Sequence, residues 1–577
     1  MTLEKTLREK LEGIRLELDS ERQSFMSHWR ELADYFLPRR ARFTITDNNQ
    51  GNKRNQKILD NTPTLAARAL RSGMHGGLTS PARPWFRLTT PNPELAENES
   101  VKKWLSDVTK RLQTIFIKSN LYNILPIVYG DIGVFGTNAM LIEEDFDSVL
   151  RVYTFPVGTY WISNNDKGIV DVFFREFRMT VRQIVSKFAK MENGEVSDWG
   201  NISETVKNAW TNNTREQWIE MVHCIIPNEK YDDKKIDAKF KKYLSAYYEK
   251  GTAGGNGYKT GDVLRESGYD RFPILTTRWE VASEDVYGTD CPGMTALGDN
   301  KQLQTGEKRG AQALEKFVNP PMGAPSSLMH KKTSILPGDI TYYDVREGQQ
   351  GFKPIHEIDP RLGDLEAKQQ QIRHRVDRAF FVDLFLMLAN DERNERPTAR
   401  EIDAKTEEKL LALGPVLEQL NQDLLDPLID IVFEYANRQG QIPVPPTELQ
   451  GSELKVEYIS IMAQAQKMAA IGTLERFIAF ASQLAGVSPD ALDKIDLDQT
   501  IDEYGEMTGI APGVIRPDDV VETIRNRRAQ QAQQQQQAAA LNQAAGAAKS
   551  LSQAEVSPDN ALGMMVQQSK AGQMVPA

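Results

Sequence analysis

The segment whose composition comes nearest to a nucleotide-binding loop is rich in glycine: Gly251-Thr-Ala-Gly-Gly-Asn-Gly-Tyr-Lys259. A P-loop requires glycine, lysine and serine or threonine in succession, because its backbone N–H groups and its lysine surround the phosphates. Here Tyr258 separates Gly257 from Lys259. Glycine clusters mark turns, so this segment is predicted to be the flexible tip of a hairpin.

A group of carboxylates could hold a divalent metal ion: Glu143, Glu144, Asp145 and Asp147. Magnesium and calcium need several oxygen ligands that converge on one point. The four residues directly follow an apolar strand, where a solvated turn is the ordinary explanation. We therefore expect a turn and no metal.

The histidines and cysteines show no catalytic spacing. The six histidines are scattered along the chain: His28, His75, His223, His330, His356 and His374. None belongs to an HExxH motif, and His223, within an apolar strand, is predicted to be a packed core residue. Cys224 and Cys291 have no CxxC spacing, which predicts free thiols in a reducing compartment.

An aromatic and basic stretch, Pro81-Ala-Arg-Pro-Trp-Phe-Arg87, raises the possibility of base stacking. Large aromatic side chains more often dominate cores. A turn with Trp85 and Phe86 buried is therefore the favoured interpretation. The sequence contains no combination of nucleophile, base and metal ligands that indicates an enzyme.

The composition restricts the class of protein. A chain of 577 residues with 40% apolar and 26% charged residues should fold into three or four structural units. Its net charge of −10 argues against a sequence-specific DNA binder, because tight binding to DNA needs clustered Lys and Arg. The N-terminus is too charged for a secretory signal, and the most apolar stretch, Ala379 to Ala389, is interrupted by Asp383 and is far too short to span a bilayer. Assembly in the cytoplasm is expected.

Apolar periodicity predicts the elements that must position any site. Helices are expected from Leu7 to Phe36, from Thr62-Pro63 to Gly76-Gly77, and over 101–118 and 121–134. Runs of β-branched and aromatic residues predict strands at 139–142, 150–155, 170–177, 218–226 and 274–279. Helices beside antiparallel hairpins indicate an α+β body.

The second half of the chain is predicted to be mainly helical. One helix is expected over 292–318 and another over about 361–388, with a Pro/Gly-rich insert and short strands near Ile335 and 340–343 between them. The polar stretch Asn390 to Pro397 should break the helix, and Thr398-Ala-Arg-Glu401 reads as a capping box that opens a long helix. That helix is expected to kink at Gly414-Pro415 and to end near Gly440. A strand at 455–459, helices over about 462–484 and 517–528, and a frayed Gln/Ala helix that passes into disorder should follow.

Several short motifs are similar to those of the podovirus portal, or head-to-tail connector, family. They are Asp60-Asn-Thr-Pro63, Gly77-Leu-Thr-Ser-Pro81, Pro84-Trp-Phe-Arg-Leu88, Tyr287-Gly-Thr-Asp-Cys-Pro292, Ala296-Leu-Gly-Asp299, Arg396-Pro-Thr-Ala399, Leu413-Gly-Pro-Val416, Asp426-Pro-Leu-Ile429 and Val456-Glu-Tyr-Ile459. Each is weak alone. Their order and spacing, over most of the chain from Trp29 to Pro517, are specific.

The resemblance implies an α+β, portal-type ring subunit with a wing, a long-helix stem, a small α/β clip and a helical crown. The expected division is a wing over 1–291, a first stem helix over 292–318, a clip over 319–360, a second stem helix over 361–389, a channel loop over 390–397, a long kinked helix returning to the wing over 398–460, crown helices over 461–528, and a partly disordered Gln/Ala tail over 529–577.

The resemblance also implies which residues meet DNA. The channel-loop candidates are Asn390, Asp391, Glu392, Arg393, Asn394, Glu395 and Arg396. Stem residues that could face the channel are Lys301, Lys308, Arg309 and Lys316, although a plain solvated helix face is an equal alternative. Possible clip docking residues are His330, Lys331 and Lys332. If Ala at Arg393 and Arg396 left packaging and DNA retention unchanged, the role of the loop would be refuted.

The implied function is a conduit for double-stranded DNA during packaging and ejection, at one vertex of the capsid, with no catalytic activity, cofactor or metal. The implied partners are further copies of the chain, about twelve in a ring, non-specifically bound DNA, the terminase large subunit, a tail adaptor, and the major capsid and scaffolding proteins. Twelve copies at −10 each carry about −120 in all, so an acidic channel should let DNA slide without sticking. The alternative is a cytoplasmic α+β enzyme or regulator of unknown activity.

Overall fold

The computed structural model describes most of the first 320 residues and parts of the remainder. The described ranges are 6–40, 42–44, 51, 54–92, 95–96, 98–193, 195–251, 263–282, 284–324, 326, 329–330, 334, 353–354, 362–389, 413–451, 453–460, 477–484, 495–508, 516 and 518–553. The chain divides into two compact units, Met1–Ala469 and Ala470–Ala577.

Four helices and a short strand begin the first unit. They are α1 (Leu7–Tyr35), α2 (Thr62–Leu78), β1 (Phe86–Thr89), α3 (Glu99–Lys118) and α4 (Leu121–Phe135). The Thr6 hydroxyl accepts from the Glu9 amide, and the Glu9 carboxylate accepts from the Thr6 amide, so a capping box fixes the start of α1. The four predicted helices are confirmed.

Two antiparallel sheets form the β part of this unit. The strands are β2 (Thr137–Asp145), β3 (Val149–Phe155), β4 (Tyr160–Asn164), β5 (Val170–Thr180), β6 (Lys190–Glu192), β7 (Glu195–Asp198), β8 (Trp218–Pro227), β9 (Tyr243–Glu249), β10 (Arg265–Tyr269) and β11 (Ile274–Arg278). One sheet has the order β10-β9-β8-β5-β4, the other has the order β11-β2-β3, and β6 and β7 form a small hairpin. Helices α5 (Val181–Phe188) and α6 (Glu204–Thr211) pack on the larger sheet around Val185, Val206 and Met221.

The second half of the first unit is mainly helical. It contains α7 (Pro292–Val318), the strand pair β12 (Met322–Gly323) and β13 (Lys353–Pro354), α8 (Leu362–Ala379), α9 (Val382–Ala389), a helix over 413–420 followed by a π-helical turn (Asn421–Leu425), α10 (Asp426–Arg438) and β14 (Lys455–Tyr458). The predicted helix over 292–318 is confirmed with those bounds.

One large hydrophobic core joins the helices of the first unit to its three-stranded sheet. Trp29 of α1, Leu70 of α2, Tyr129 of α4, Leu141 of β2 and Val432 of α10 are all fully buried in it. The Trp29 indole N–H also donates to the Phe135 carbonyl oxygen at 3.2 Å, so α1 is tied to the end of α4. Among the described helices, none carries an apolar stretch long enough to cross a membrane.

The predicted helix over 361–388 is wrong as a single element. It breaks between α8 and α9, where Phe381 adopts a left-handed φ of 55°. Phe380 is fully buried, and its ring centroid lies 5.4 Å from that of Phe36. The ring centroid of Phe381 lies 6.5 Å from that of Trp279. The break lets both consecutive rings reach apolar partners, and tertiary packing thus overrides the helical pattern.

Other expectations also change. Trp85 and Phe86 are buried as predicted, but Phe86 begins strand β1 instead of forming a turn. Strands β4, β6, β7, β9, β10, β12 and β13 and helices α5 and α6 were not predicted. The helix after 412 is irregular at the π-helical turn, whereas the kink expected at Gly414-Pro415 remains a prediction because the residues before 413 lie outside the described part. The short strands expected near Ile335 and 340–343 also lie outside it.

In the second unit, the described secondary-structure elements are all helices. They span 477–484, α11 (Leu497–Thr508) and α12 (Asp518–Gln553). Arg525 of α12 forms a bidentate ion pair with Asp498 of α11 at 2.5 and 2.7 Å. Helix α12 continues from the predicted 517–528 helix through the Gln/Ala tract, whose described side chains up to Gly546 are exposed.

Candidate functional site

The α7–α8 hairpin contains the cationic residues that the family resemblance offered as possible channel-facing positions. Its base is fixed by close approaches between backbones. Gly288 lies against Gly136, where an added Cβ would come within 2.1 Å of the Gly136 carbonyl oxygen, and Gly293 lies similarly close to Val134. The thiol of Cys291, whose pKa burial raises to about 12, donates to the Val134 carbonyl oxygen at 3.3 Å. The motif Tyr287 to Pro292 therefore anchors α7 to the end of α4.

Two buried amide side chains attach the first half of α7 to the rest of the unit. Asn300 donates to the carbonyl oxygen of Tyr35 at 3.0 Å. Gln304 accepts from the backbone amides of Leu59 and Asp60 at 2.6 and 2.9 Å and donates to the Asp60 carbonyl oxygen at 2.9 Å. Since the side chains of Asn300 and Gln304 are buried, each bond satisfies a polar group whose burial would otherwise be costly.

Asp60 also joins α8 to this cluster. Its carboxylate accepts from the Thr62 amide at 2.7 Å and from Nε of Arg373 at 2.8 Å. Burial alone would raise the pKa of Asp60, but the hydrogen bonds from Thr62 and Arg373 and the positive charge of Arg373 hold it below its ordinary value. Arg373 reaches Glu307 of α7 as well, at 2.7 Å, so one guanidinium links three segments of the chain.

The two helices of the hairpin approach each other closely along glycines. A Cβ added to Gly310 would stand 3.0 Å from Cδ2 of Leu365, and one added to Gly306 would stand 3.5 Å from the Gln369 amide nitrogen. Arg375 of α8 pairs with Asp299 of α7 at 2.7 Å. The glycines of α7 and this ion pair hold the two helices of the hairpin together.

The second half of α7 is largely exposed, and its cations lie on one side. At 100° per residue, positions 301, 308, 309 and 316 fall within about 100° of arc. Lys308, Arg309 and Lys316 are exposed, and none of them forms an ion pair within the part of the chain that the structure describes. This face points away from the glycine-lined face that packs on α8.

Lys301 differs from the other three cations. Its Nζ lies 2.5 Å from the Glu31 carboxylate of α1, and this hydrogen bond raises the pKa of Lys301. Lys301 is thus engaged within the chain, which leaves Lys308, Arg309 and Lys316 as the available positive charges of the predicted set.

Of the remaining candidate residues, in the proposed clip and channel loop, the structure describes only His330. His330 is exposed in a turn, whereas Lys331 and Lys332 lie outside the described residues. The channel-loop residues 390–396 also lie outside them, directly after the end of α9. Their roles stay predictions.

The predicted turn contains only Asp147, because Glu143, Glu144 and Asp145 are the last three residues of strand β2. The carboxylates of Glu144 and Asp145 engage separate partners. Glu144 accepts from Arg438 and Gln439, whereas Asp145 accepts from Ser148 and pairs with Arg151. Within the described ranges, no group of His, Cys, Asp and Glu is arranged to hold a metal ion.

His223 and the cysteines lie in the interior. His223 is fully buried, as predicted, and both cysteines are buried free thiols. Strands β9 and β10, which flank the glycine-rich segment, pair as an antiparallel hairpin, although residues 252–262 themselves lie outside the described part.

Two of the quoted motifs pair with each other. In the β1–β14 ribbon Phe86 faces Tyr458 and Arg87 faces Glu457, with the Arg87–Glu457 ion pair at 2.5 Å. The Tyr458 hydroxyl donates to the carboxylate of Asp426 at 2.5 Å, so a third motif joins the same ribbon. Segments 370 residues apart in sequence therefore form one structural element.

Sequence reasoning did not identify Asn300, Gln304, Arg373 or Arg375, the residues that hold the hairpin. The sequence indicates them only in that polar residues occupy helically spaced positions that are otherwise apolar. That pattern does not identify the partner, because Asp60 lies more than 200 residues away in sequence.

Comparisons with known proteins cover nearly the whole chain. A family model described as "Bacteriophage head to tail connecting protein" matches residues 8–515. A relative named "Portal protein" from Salmonella phage epsilon15 is 47% identical over 557 residues, which is 96% of this chain and 97% of the relative. A "Probable portal protein" from Bordetella phage BPP-1 is 42% identical over 546 residues, 95% of each chain.

A structural neighbour is more distant. A chain of the solved structure "Virion of native gene transfer agent (GTA) particle" aligns with a TM-score of 0.30 and 10% identity, over 78% of this chain and 89% of that chain. That similarity is too low to support an argument about fold or function.

Proposed function

Because the chain belongs to the family of bacteriophage head-to-tail connecting proteins, we propose that it is a portal subunit, the conduit through which double-stranded DNA enters and leaves a phage capsid. The observation that carries this proposal is the match of residues 8–515 to the family, together with relatives named as portal proteins that align over nearly their full length. The alternative of an enzyme or regulator is not favoured by that membership. We propose a structural role without catalysis.

The working form is a closed ring of identical subunits, which we propose to contain twelve copies at one vertex of the virion. A ring requires each subunit to present two different surfaces to its neighbours. The exposed outer half of α7 is consistent with this requirement, because a helix that projects from a core has sides left for neighbours. Assembly is proposed to take place in the host cytoplasm.

The proposed structural regions of the subunit follow one another along the chain. Residues 1–291 are proposed as the wing, α7 and residues 361–389 as the stem, 319–360 as the clip, 390–397 as the channel loop, 398–460 as the return to the wing, and 461–577 as the crown and its tail. The clip is the proposed docking site of the terminase large subunit and later of the tail adaptor. The wing is proposed to bind the major capsid and scaffolding proteins.

The negative net charge of the chain is consistent with a conduit that does not bind DNA tightly. The chain has a net charge of −10, so a ring of twelve carries about −120 and repels phosphate as a whole. Against that background the Lys308, Arg309 and Lys316 face is proposed to line the bore and to bind the DNA backbone weakly and in a salt-sensitive way. Such binding carries no sequence information.

The ring is tested by negative-stain microscopy and native mass spectrometry of the purified full-length protein. We expect particles with a central hole and a mass near twelve times 65.1 kDa. A chain that stays monomeric even when co-expressed with its scaffolding protein would refute the proposal.

The α7 face is tested by replacing Lys308, Arg309 and Lys316 together with Ala. We expect rings that still assemble but bind duplex DNA more weakly. The slope of log affinity against log salt should fall by about one for each phosphate that is no longer neutralised. The matched control replaces three exposed lysines of the proposed wing, Lys103, Lys230 and Lys234, with Ala. An equal effect of both triple variants would show that only net charge matters and that α7 does not line the bore.

A further inference from the structure

A row of directly paired residues crosses all five strands of the larger sheet. In the strand register Tyr160 faces Arg175, Arg175 faces His223, His223 faces Tyr247, and Tyr247 faces Arg265. Residues that pair directly across neighbouring strands project from the same face of a sheet. The row therefore places two arginines, an imidazole and two phenols on one surface, outside the α7–α8 hairpin.

The middle of the row is held by a ring stack and two hydrogen bonds. The His223 ring stacks on Tyr247 with a centroid distance of 3.9 Å and an interplanar angle of 4°. Nε of Arg175 donates to Nδ1 of His223 at 3.3 Å, so Nε2 carries the histidine proton and donates to Ser245 Oγ at 3.0 Å. Burial, and then the charges of Arg175 and Lys187, hold the pKa of His223 far below its ordinary value, so this imidazole is neutral.

The guanidinium of Arg175 is held by rings. It lies 4.6 Å from the ring centroid of Phe155 and 4.6 Å from that of Phe177. This arrangement fixes the direction of its remaining N–H groups without neutralising its charge. Arg175 differs in this respect from Arg278 of β11, a buried arginine that pairs with Asp423.

A third cation joins the row from α5. Lys187, in the last turn of that helix, has its Nζ 4.5 Å from the ring centroid of Tyr247. Its surroundings, chiefly desolvation and then the charges of Arg175 and Arg265, lower its pKa, and the attraction of Glu143 opposes them only in part. Within the described part of the chain, Arg175, Lys187 and Arg265 form no ion pair.

This group of cations, Arg175, Lys187 and Arg265, carries a charge of +3, and Glu143 is the carboxylate that acts on Lys187. Three like charges that face one carboxylate repel one another and are stabilised when an anion binds. Lys187 and Arg265 are exposed, so a ligand can reach them from solvent.

We propose that Arg175, Lys187 and Arg265 form a binding site for a phosphate group on the sheet, separate from the DNA-facing surface of α7. A phosphate carries up to two negative charges and several acceptor oxygens, which matches a net positive site with guanidinium and ammonium donors. The phosphate can belong to the backbone of duplex DNA, which carries one negative charge per phosphate, or be a free ion, since both present anionic acceptor oxygens. The site does not depend on the ring or on the portal assignment.

The test measures how fast Lys187 is acetylated in the full-length protein, by mass spectrometry of its peptides after brief treatment with acetic anhydride at fixed pH. Only the neutral amine reacts, and a bound phosphate raises its pKa and covers it. We expect inorganic phosphate to slow acetylation of Lys187 about tenfold, the effect of raising its pKa by about one. Exposed Lys103 of α3 serves as the internal reference and should react at an unchanged rate.

Two variants and a second probe sharpen the test. Arg265→Met removes one cation from an exposed position and should abolish protection by phosphate. Arg182→Met, in α5 with Lys187 but paired with Glu216 in the native chain, should leave protection intact. Their melting temperatures establish that both variants are folded.

Short duplex DNA is then compared with inorganic phosphate at equal phosphate concentration. Stronger protection by the duplex identifies the backbone of DNA as the source, and equal or stronger protection by the free ion identifies free phosphate. An unchanged rate at Lys187 with both probes, or equal protection in the Arg265→Met variant, would overturn the proposal. Neither outcome bears on ring formation, which is measured separately.

Discussion

Asp60 shows how one residue can organise a projecting helix pair. Its backbone is held by Gln304 of α7, and its carboxylate is held by Thr62 and by Arg373 of α8. The sequence singled out Asp60-Asn-Thr-Pro63 only as a motif. The structure gives the reason for an aspartate at its first position: the carboxylate accepts from the first amide of α2 and at the same time binds an arginine of α8.

The stability of the hairpin base should therefore depend on pH. The pKa of Asp60 is lower in the folded chain than in the unfolded chain, so its contribution is complete above the unfolded pKa and disappears as pH falls through the folded pKa. We expect Asp60→Asn to lower the melting temperature most above about pH 5, with the difference from the native chain shrinking toward more acid pH. Differential scanning fluorimetry across this range measures it.

A control for this pH effect is Asp34→Asn, which removes an exposed partner of Lys57. Exposed pairs contribute about 0–1 kcal/mol, so this variant should follow the native curve. A constant offset between Asp60→Asn and the native chain at every pH would contradict a role for the ionised carboxylate.

At the scale of elements, α9 is positioned by its packing on α2. A Cβ at Gly73 of α2 would lie 2.1 Å from Cγ of Phe385 of α9, so the two helices meet where glycine leaves room for an aromatic ring. Because α9 ends directly before residues 390–397, this packing also fixes where the proposed channel loop begins.

Gly73→Ala should displace α9 and destabilise the first unit by about 1–3 kcal/mol, the usual cost of overpacking. Gly76→Ala is the matched control in the same helix: nothing lies within 4 Å of its added Cβ, and helix propensity favours alanine over glycine by about 1 kcal/mol. The midpoints of urea unfolding should move in opposite directions. Equal shifts would show that α9 does not pack on Gly73.

The π-helical turn at Asn421–Leu425 is a second feature of this scale. A π-helical turn inserts an extra residue into the helical hydrogen-bond pattern and changes which side chains share a face. Within it Asp423 reaches the buried Arg278 of β11 at 3.2 Å, and Gln419 donates to the same carboxylate. The π-helical turn thus contains one partner of a buried ion pair between helix and sheet. Removal of either partner of such a pair strongly lowers the free energy of unfolding.

At the scale of the whole molecule, the chain separates a large core from a smaller C-terminal unit. Residues 529–546 of α12 are exposed along their length. Alanine and glutamine favour a helix by intrinsic propensity, so this segment does not need a core in order to be helical. The family match, which ends at residue 515, does not include it.

Removal of residues 529–577 should therefore leave the melting temperature of the first unit unchanged and should leave ring formation intact. Scanning fluorimetry and native mass spectrometry of the truncated chain check both expectations. A lower melting temperature, or the absence of rings, would show that the tail stabilises more than its own helix. Truncation within α11 serves as the comparison, since it removes the Asp498–Arg525 pair.

The sequence by itself determined the α+β class, the position of most long helices, the burial of Trp85, Phe86 and His223, and the family. These features depend on local periodicity, on caps and on the order of motifs, all of which are written along the chain. The five strands predicted between residues 139 and 279 came from runs of β-branched and aromatic residues. Strand β10 was missed because Arg265-Glu-Ser-Gly-Tyr269 is mainly polar and contains glycine, which is depleted in strands. Strands β4 and β9 contain aromatic residues that favour strands, so the sequence did carry a signal for them.

Only the tertiary structure decided which distant groups meet. The break at Phe381, the pairing of β1 with β14, the convergence of Gln304 and Arg373 on Asp60, and the cation row on the larger sheet all join residues far apart in sequence. The type of a side chain determines which hydrogen bonds and ion pairs it can form. The packing of the core determines which partner lies within reach. For that reason Lys301, a candidate for a channel-facing position, pairs with Glu31, while Lys308, Arg309 and Lys316 keep an exposed face.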